Sequence, residues 1–471
     1  MTSLETRRNQ YAADVADRYR HRYPVSEKMF RRGSAFFPNG VAQYGRMTHP
    51  FPPFFERATG AALYSVDGTK LIDFWAGHFC MLLGHEPTSL TSRVPLHRQL
   101  GAHTQLEADV AEMILAATGD DQVLFSTSGA LATMHATMIA SAATGRSKVL
   151  KMEGGWHGVQ PWTMSGVRSR ATGNHRAETE CGGIPGWFAE NVFVIPFNDV
   201  GAAELAFAEH GDELAACILE LVVGNAGMVM ASLEFASTVR RLCTKHGVAL
   251  VIDELVTGFR VRLGGLQDLY GIRGDLSTYG KVLSGGMPFA CIVGRKRLMS
   301  AVRVRADSSR VVADSGTFNA HPGVLFEVRE TLRRLNEEGD ALYQRLLSKA
   351  QALKSSLTEI FQSRHLAVEV TGASTLAGLP TFPIGTLRFA MDRERSRSLS
   401  VGPCHWDDIA TNVVFRNNTS RLALILQGLF TWQGLGVVTV AHDGDDLDRT
   451  VDAYGRFADE IKDLFPIDGG L

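Results

Sequence analysis

A carboxylate and an amine stand at the ends of two strand-like runs. In VALVIDELVTGF an apolar run ends in Asp253 and Glu254. Open α/β sheets build their sites at that edge, so a carboxylate there can face a ligand. Taken alone, an Asp in this place more often caps the next helix or turn. Twenty-eight residues further on, the run STYG delivers Lys281, followed by Ser284-Gly285-Gly286. A glycine pair lets a ligand approach the backbone closely. A lone lysine after a strand is usually solvent-exposed, but this one precedes a tight loop. A third feature is Ser128-Gly129, which opens the helical pattern ALATMHATMIASAATG and so puts Ser128 at a helix N-terminus.

The elements that must position these residues alternate. Between about residues 120 and 295, the short apolar runs QVLFST, SKVLKM, NVFVIPF, ACILELVV, VALVIDEL, LSTYG and FACIVG are separated by helical patterns. This predicts a mainly parallel sheet covered by helices on both faces. Upstream, ALYSVDGTKLIDF predicts a hairpin around Asp67-Gly68. Residues 323 to 364 read as charged helix, and 365 to 443 mix Gly, Pro and short strand runs, which predicts a smaller α+β unit. The stretch at about 383 to 415 carries little pattern. The expected division is 1–75 as an N-terminal helix and hairpin segment, 76–325 as the large domain and 326–471 as the small one.

Composition narrows the class. Lys and Arg total 48 against 50 Asp and Glu, so no extended basic field exists to attract nucleic acid, and any anion must be caught locally. The six cysteines show no Cys-x-x-Cys spacing and no neighbouring His cluster, so no metal site is expected. No stretch approaches the roughly 18 apolar residues of a membrane span, and the N-terminal residues lack the apolar core of a signal peptide. A cytoplasmic protein without membrane contact is the expectation.

Six separated motifs, FSTSGALATM, KMEGGWHG, ILELVVGNAG, VIDELVTGFR, YGKVLSGG and GTFNAHP, agree in order and spacing with one family. Over about residues 35 to 325, and more weakly to the end, the chain resembles the class III pyridoxal-phosphate aminotransferases, above all their glutamate-1-semialdehyde aminomutase branch. The resemblance implies fold type I and pyridoxal 5′-phosphate carried as a Schiff base on Lys281. Asp253 would keep the ring nitrogen protonated, and Lys281 would shuttle the substrate proton. Ser128, Gly129 and Ala130 would receive the phosphate at the helix start. Trp156 would stack on one ring face, where the family usually has Tyr, and Val256 would press on the other. His157 would act as a donor behind the cofactor, and Asn225 would lie near the ring hydroxyl, although it could equally be a turn residue. Thr317 would reach the phosphate of the neighbouring subunit, which makes the dimer obligatory. Arg46 would hold a substrate carboxylate, with an exposed hairpin arginine as the equal alternative.

Departures from the family pattern leave the reaction open. The usual NSGTEA reads TSGALA, with Ala130 for Thr and Leu131 for Glu, so the phosphate loses one hydroxyl. His78, Phe79 and Cys80 replace a Trp-Gly-Pro stretch, which predicts a pocket of different shape with His78 among the substrate contacts. Transfer of an amino group from an amino acid or amine to a keto or aldehyde acceptor is the expected reaction. Intramolecular transfer as in an aminomutase, racemisation or epimerisation on the same lysine, and a catalytically inactive binding protein are the alternatives.

Overall fold

The computed structural model describes residues 3–42, 46–85, 98–169, 171–302, 312–313, 315–372, 379, 381–389 and 415–467. The stretch at about 383 to 415 therefore lies mostly outside the described residues.

The first strands are β1 (Phe55–Thr59), β2 (Ala62–Ser65) and β3 (Lys70–Asp73), paired antiparallel in sequence, with β2 and β3 around the predicted Asp67-Gly68 turn. Then follow β4 (Gln122–Ser126), β5 (Lys148–Met152), β6 (Val192–Ile195), β7 (Leu214–Leu219), the short pair β8 (Val222–Val223) and β9 (Val229–Met230), β10 (Ala249–Asp253), β11 (Leu276–Gly280) and β12 (Ala290–Gly294). Seven of these form the central sheet in the order β4-β12-β11-β10-β7-β5-β6. β7, β10, β11 and β12 are buried along their whole length, which explains why they read as continuous apolar runs rather than alternating ones.

β12 runs antiparallel to both of its neighbours, and the other six strands are parallel. The reason is chain length. Residues 281–289 between β11 and β12 are too few for the crossover that a parallel return needs.

The helix Gly129–Thr144 starts where β4 ends. The Ser128 hydroxyl accepts from Leu131 N at its N-cap, and Gly145, at φ 70°, closes it in the left-handed region that glycine favours. The helix Pro322–Ser363 is broken once, at Gly339 (φ 53°, ψ −144°). Buried Lys354 on that helix donates to the carbonyls of Phe382 and Ile384.

The chain ends meet. Arg8 Nε donates to Leu464 O at 3.0 Å and Tyr11 Oη to Glu460 Oε2 at 2.8 Å, which ties the N-terminal helix Leu4–Arg22 to the C-terminal helix Gly444–Ile461. The C-terminal strand Leu429–Phe430 pairs in parallel with β3 and completes a four-stranded sheet. Among the described residues, no helix is long and apolar enough to cross a membrane.

Candidate active site

β10 and β11 are adjacent and parallel, so their C-terminal ends deliver Asp253 and Lys281 to the same sheet edge. Asp253 is buried and its carboxylate is fixed from three directions. Oδ1 accepts from Leu255 N at 3.0 Å and Thr278 Oγ1 at 3.1 Å, and Oδ2 accepts from His157 Nδ1 at 2.8 Å. A carboxylate only accepts, so the His157 proton sits on Nδ1. The His157 carbonyl accepts in turn from Thr133 Oγ1 at 2.6 Å, which anchors the EGGWHG loop to the helix Gly129–Thr144. Glu254 turns away and accepts from Leu266 N and Gln267 N, so it holds the following loop.

Lys281 has φ 45°, a left-handed conformation uncommon outside glycine. The next turn is braced around it, since Ser284 Oγ donates to Lys281 O at 2.7 Å and accepts from Gly286 N at 3.0 Å. Burial lowers the Lys281 pKa from the usual lysine value, opposed chiefly by Asp253 and then by Cys80 and Glu220. A depressed lysine spends more of its time as the neutral amine, the form that attacks carbonyl carbon.

Glu220 is buried and accepts from Trp156 N at 2.8 Å and Gly224 N at 3.2 Å. Burial raises its pKa, with His157 opposing. It thereby joins the loop of Trp156, a residue 39% exposed, to the turn of Asn225. Asn225 Nδ2 is sealed from solvent without a partner among the described residues, and Val256 is half-buried. At the helix start, the N–H groups of Gly129 and Ala130 have no acceptor among the described residues.

Beside this group lies a second turn. Ala76, Gly77, His78 and Phe79 all have positive φ (46°, 59°, 58° and 71°). Such a left-handed stretch costs roughly 1–2 kcal/mol per non-glycine residue, so it persists only when held from outside. Asp73 holds its start, accepting from Trp75 N at 2.8 Å and Ala76 N at 3.0 Å. Arg260 holds its end: this fully buried guanidinium donates to Phe79 O through Nη2 and, through Nε, to Val256 O at 2.7 Å. Burial brings Arg260 down to about 10. The turn presents His78, whose pKa is lowered to about 4 by burial first and then by Arg46, Lys281 and Arg421.

The structure thus brings together Asp253, His157, Lys281, Glu220 and Trp156, with His78 and Arg46 within electrostatic reach. Thr317 is exposed before the helix Pro322–Ser363, with its carbonyl accepting from Gln99 Nε2 at 2.8 Å. Arg46 is also exposed. Sequence reasoning missed Thr278, Thr133, Arg260 and Arg421. Only Thr278, one strand position above Tyr279-Gly280 and opposite Asp253 in register, carried a usable signal.

This architecture is that of the fold type I pyridoxal-phosphate enzymes. An omega-transaminase from Sphaerobacter thermophilus superimposes with a TM-score of 0.82 at 25% identity, covering 93% of this chain and 97% of that one. A β-phenylalanine aminotransferase from Variovorax paradoxus gives 0.83 at 25% identity, with 98% and 99% covered. In sequence, the glutamate-1-semialdehyde 2,1-aminomutase of Rhodopirellula baltica is 36% identical over 364 residues, 76% of this chain and 81% of that protein. The class-III aminotransferase family matches residues 43–422, and the chain belongs to it. Its cofactor is pyridoxal 5′-phosphate.

Proposed function

We propose that this chain transfers an amino group from an amino acid or amine to a keto or aldehyde acceptor, with the cofactor bound covalently by Lys281. The observation that carries the reading is the buried Asp253 carboxylate, fixed by His157, Thr278 and Leu255 N at the strand end beside Lys281. Bound pyridoxal phosphate supplies an aldehyde that captures the amine and a pyridinium ring that withdraws electrons.

The chain's own residues do the rest. Asp253 retains a proton at the ring nitrogen, because an opposite charge nearby favours the protonated form. His157 and Thr278 orient that carboxylate. The neutral Lys281 amine, once the incoming amine has displaced it, would carry the proton between substrate Cα and the carbon on the far side of the amino nitrogen, and its φ of 45° fixes where the side chain starts. Gly129 and Ala130 N–H, with Ser128, would hold the phosphate at the positive end of a helix, a fit that their free donors support. Trp156 and Val256 would sandwich the ring, and the orphan Asn225 Nδ2 would meet its hydroxyl.

Thr317 of a second copy would complete the phosphate site in a homodimer. Exposed apolar side chains near these elements, Leu131, Val159 and Phe318, support that pairing. The division into residues 1–75, 76–325 and 326–471 and a cytoplasmic setting belong to the same proposal.

A second reading, intramolecular transfer, is favoured by the 36% identity to an aminomutase. Holoenzyme incubated with a panel of amines and amino acids, with and without pyruvate or 2-oxoglutarate, separates the two. The proposal expects product only when acceptor is present. Conversion of a single substrate without acceptor supports the mutase, and loss of both reactions in a cofactor-loaded protein rejects the enzyme.

A further inference from the structure

We infer that Lys151 is a positioning residue for the cofactor: with Glu220 it clamps the Gly155–Trp156 peptide from both ends and so sets the indole of Trp156 against the ring. This rests on the proposed binding of the cofactor at Lys281. β5 and β7 are adjacent and parallel in the central sheet, so their C-terminal ends bring Lys151 and Glu220 to the same edge. Lys151 is fully buried, and its Nζ donates to Gly155 O at 3.1 Å and to Ser165 O at 2.7 Å. Glu220 Oε1 accepts from Trp156 N at 2.8 Å.

These bonds meet on a single peptide unit. Gly155 O and Trp156 N–H belong to one planar trans amide and point in opposite directions. A donor at the oxygen and an acceptor at the N–H therefore fix the plane of that amide, and with it the direction in which Trp156 leaves the backbone. Little else does so. Trp156 is 39% exposed, so packing does not hold its ring, and the two residues before it are glycines. Gly155 has no room for a side chain, since a Cβ there would lie 2.9 Å from His157 Nε2 and 3.1 Å from Met152 O.

The residue type matters as well. Two carbonyls can be satisfied by a neutral donor, whereas a buried lysine is costly unless charges compensate it. Burial brings Lys151 down to about 8, opposed by Glu180, Glu220 and Glu153, so it is an ammonium at neutral pH. Of these three acids, Glu220 is the one that also holds Trp156 N. Cation at the oxygen and acid at the N–H follow the amide's own dipole, and charge-assisted bonds of this kind are the strong ones. The alternative, a lysine that merely ties its turn to Ser165, predicts a loss of stability with no effect on cofactor held by the folded protein.

The test is a double-mutant cycle between Lys151 and Trp156, read by cofactor affinity and by the visible circular dichroism of the loaded enzyme. Lys151→Met is expected to weaken cofactor binding about ten-fold and to diminish the dichroism. Lys151→Gln, shorter but still a donor, should fall between. In a Trp156→Ala background, Lys151→Met should change affinity by no more than about two-fold, because the residue through which it acts is gone. If Lys151→Met does not fold, Glu220→Gln carries the same expectations. Undiminished affinity and dichroism in a folded Lys151→Met, or a full additional loss on top of Trp156→Ala, overturn the inference. Trp156→Ala with wild-type affinity overturns it too, by removing the indole from the cofactor site. Absence of any visible band after cofactor loading would instead refute the reading at Lys281, so the two failures are distinguishable.

Discussion

Replacing His157 by Leu tests how the Asp253 carboxylate is used. His157 is the one donor to Oδ2 among the described residues, and Oδ1 keeps Leu255 N and Thr278. The substitution therefore leaves the carboxylate in place but frees one oxygen, in a buried site where water replaces the lost donor poorly. A hydrogen bond to a charged group contributes roughly 1.5–3 kcal/mol, which corresponds to about a ten- to hundred-fold fall in kcat if it is felt in full at the transition state. His157→Asn keeps an N–H donor and should recover part of the loss. A purely structural role would lower stability in both variants without separating their rates. The assay is steady-state turnover across pH beside a cofactor titration of each variant. A His157→Leu enzyme with wild-type kcat and an unchanged pH profile would refute the idea that His157 orients Asp253.

Three further outcomes follow from the same geometry. Thr317→Ala should weaken cofactor binding about ten- to hundred-fold and lower the dimer's stability, because Ala130 already deprives the phosphate of one hydroxyl; unchanged affinity by titration would show that the phosphate site closes within one chain. Gly77→Ala should cost about 1 kcal/mol in denaturant unfolding, since φ is 59° and the added Cβ would lie 3.1 Å from Met81 Cγ; an unmoved midpoint would show that the turn relaxes freely. His442, fully buried and stacked on Phe74, is held at about 4 by burial, so the unfolded chain takes up a proton that the folded chain refuses. Its contribution to stability is complete above pH 6.5 and is lost as pH falls towards 4, by about 3 kcal/mol. His442→Asn should flatten that slope, and an equal slope in both proteins would assign it elsewhere.

The central sheet was legible because most of its strands are buried along their length, so each of the seven apolar runs between residues 120 and 295 contains one of its strands, ACILELVV running on into β8. The direction of β12 was not part of that reading, although the short 281–289 connection contained it. Ser128 and Gly145 announced the two ends of the helix whose spacing ALATMHATMIASAATG carries. The left-handed turn at residues 76–79 had no such signal, since one glycine in WAGHF does not encode four positive φ angles. It exists because Asp73 and Arg260 clamp its ends, and Arg260 lies 181 residues from the carbonyl it binds. Arg421 likewise reads as an ordinary helix arginine. Only the packing of Trp75 and Phe430 around it, through the pairing of the C-terminal strand with β3, removes it from solvent.

The most direct test of the account is to reduce cofactor-loaded enzyme with borohydride, digest it and map the modified peptide by mass spectrometry. The account predicts one phosphopyridoxyl group per chain, on Lys281, and no label together with loss of the visible band in Lys281→Ala. Label on another lysine, or turnover retained in Lys281→Ala, would contradict it.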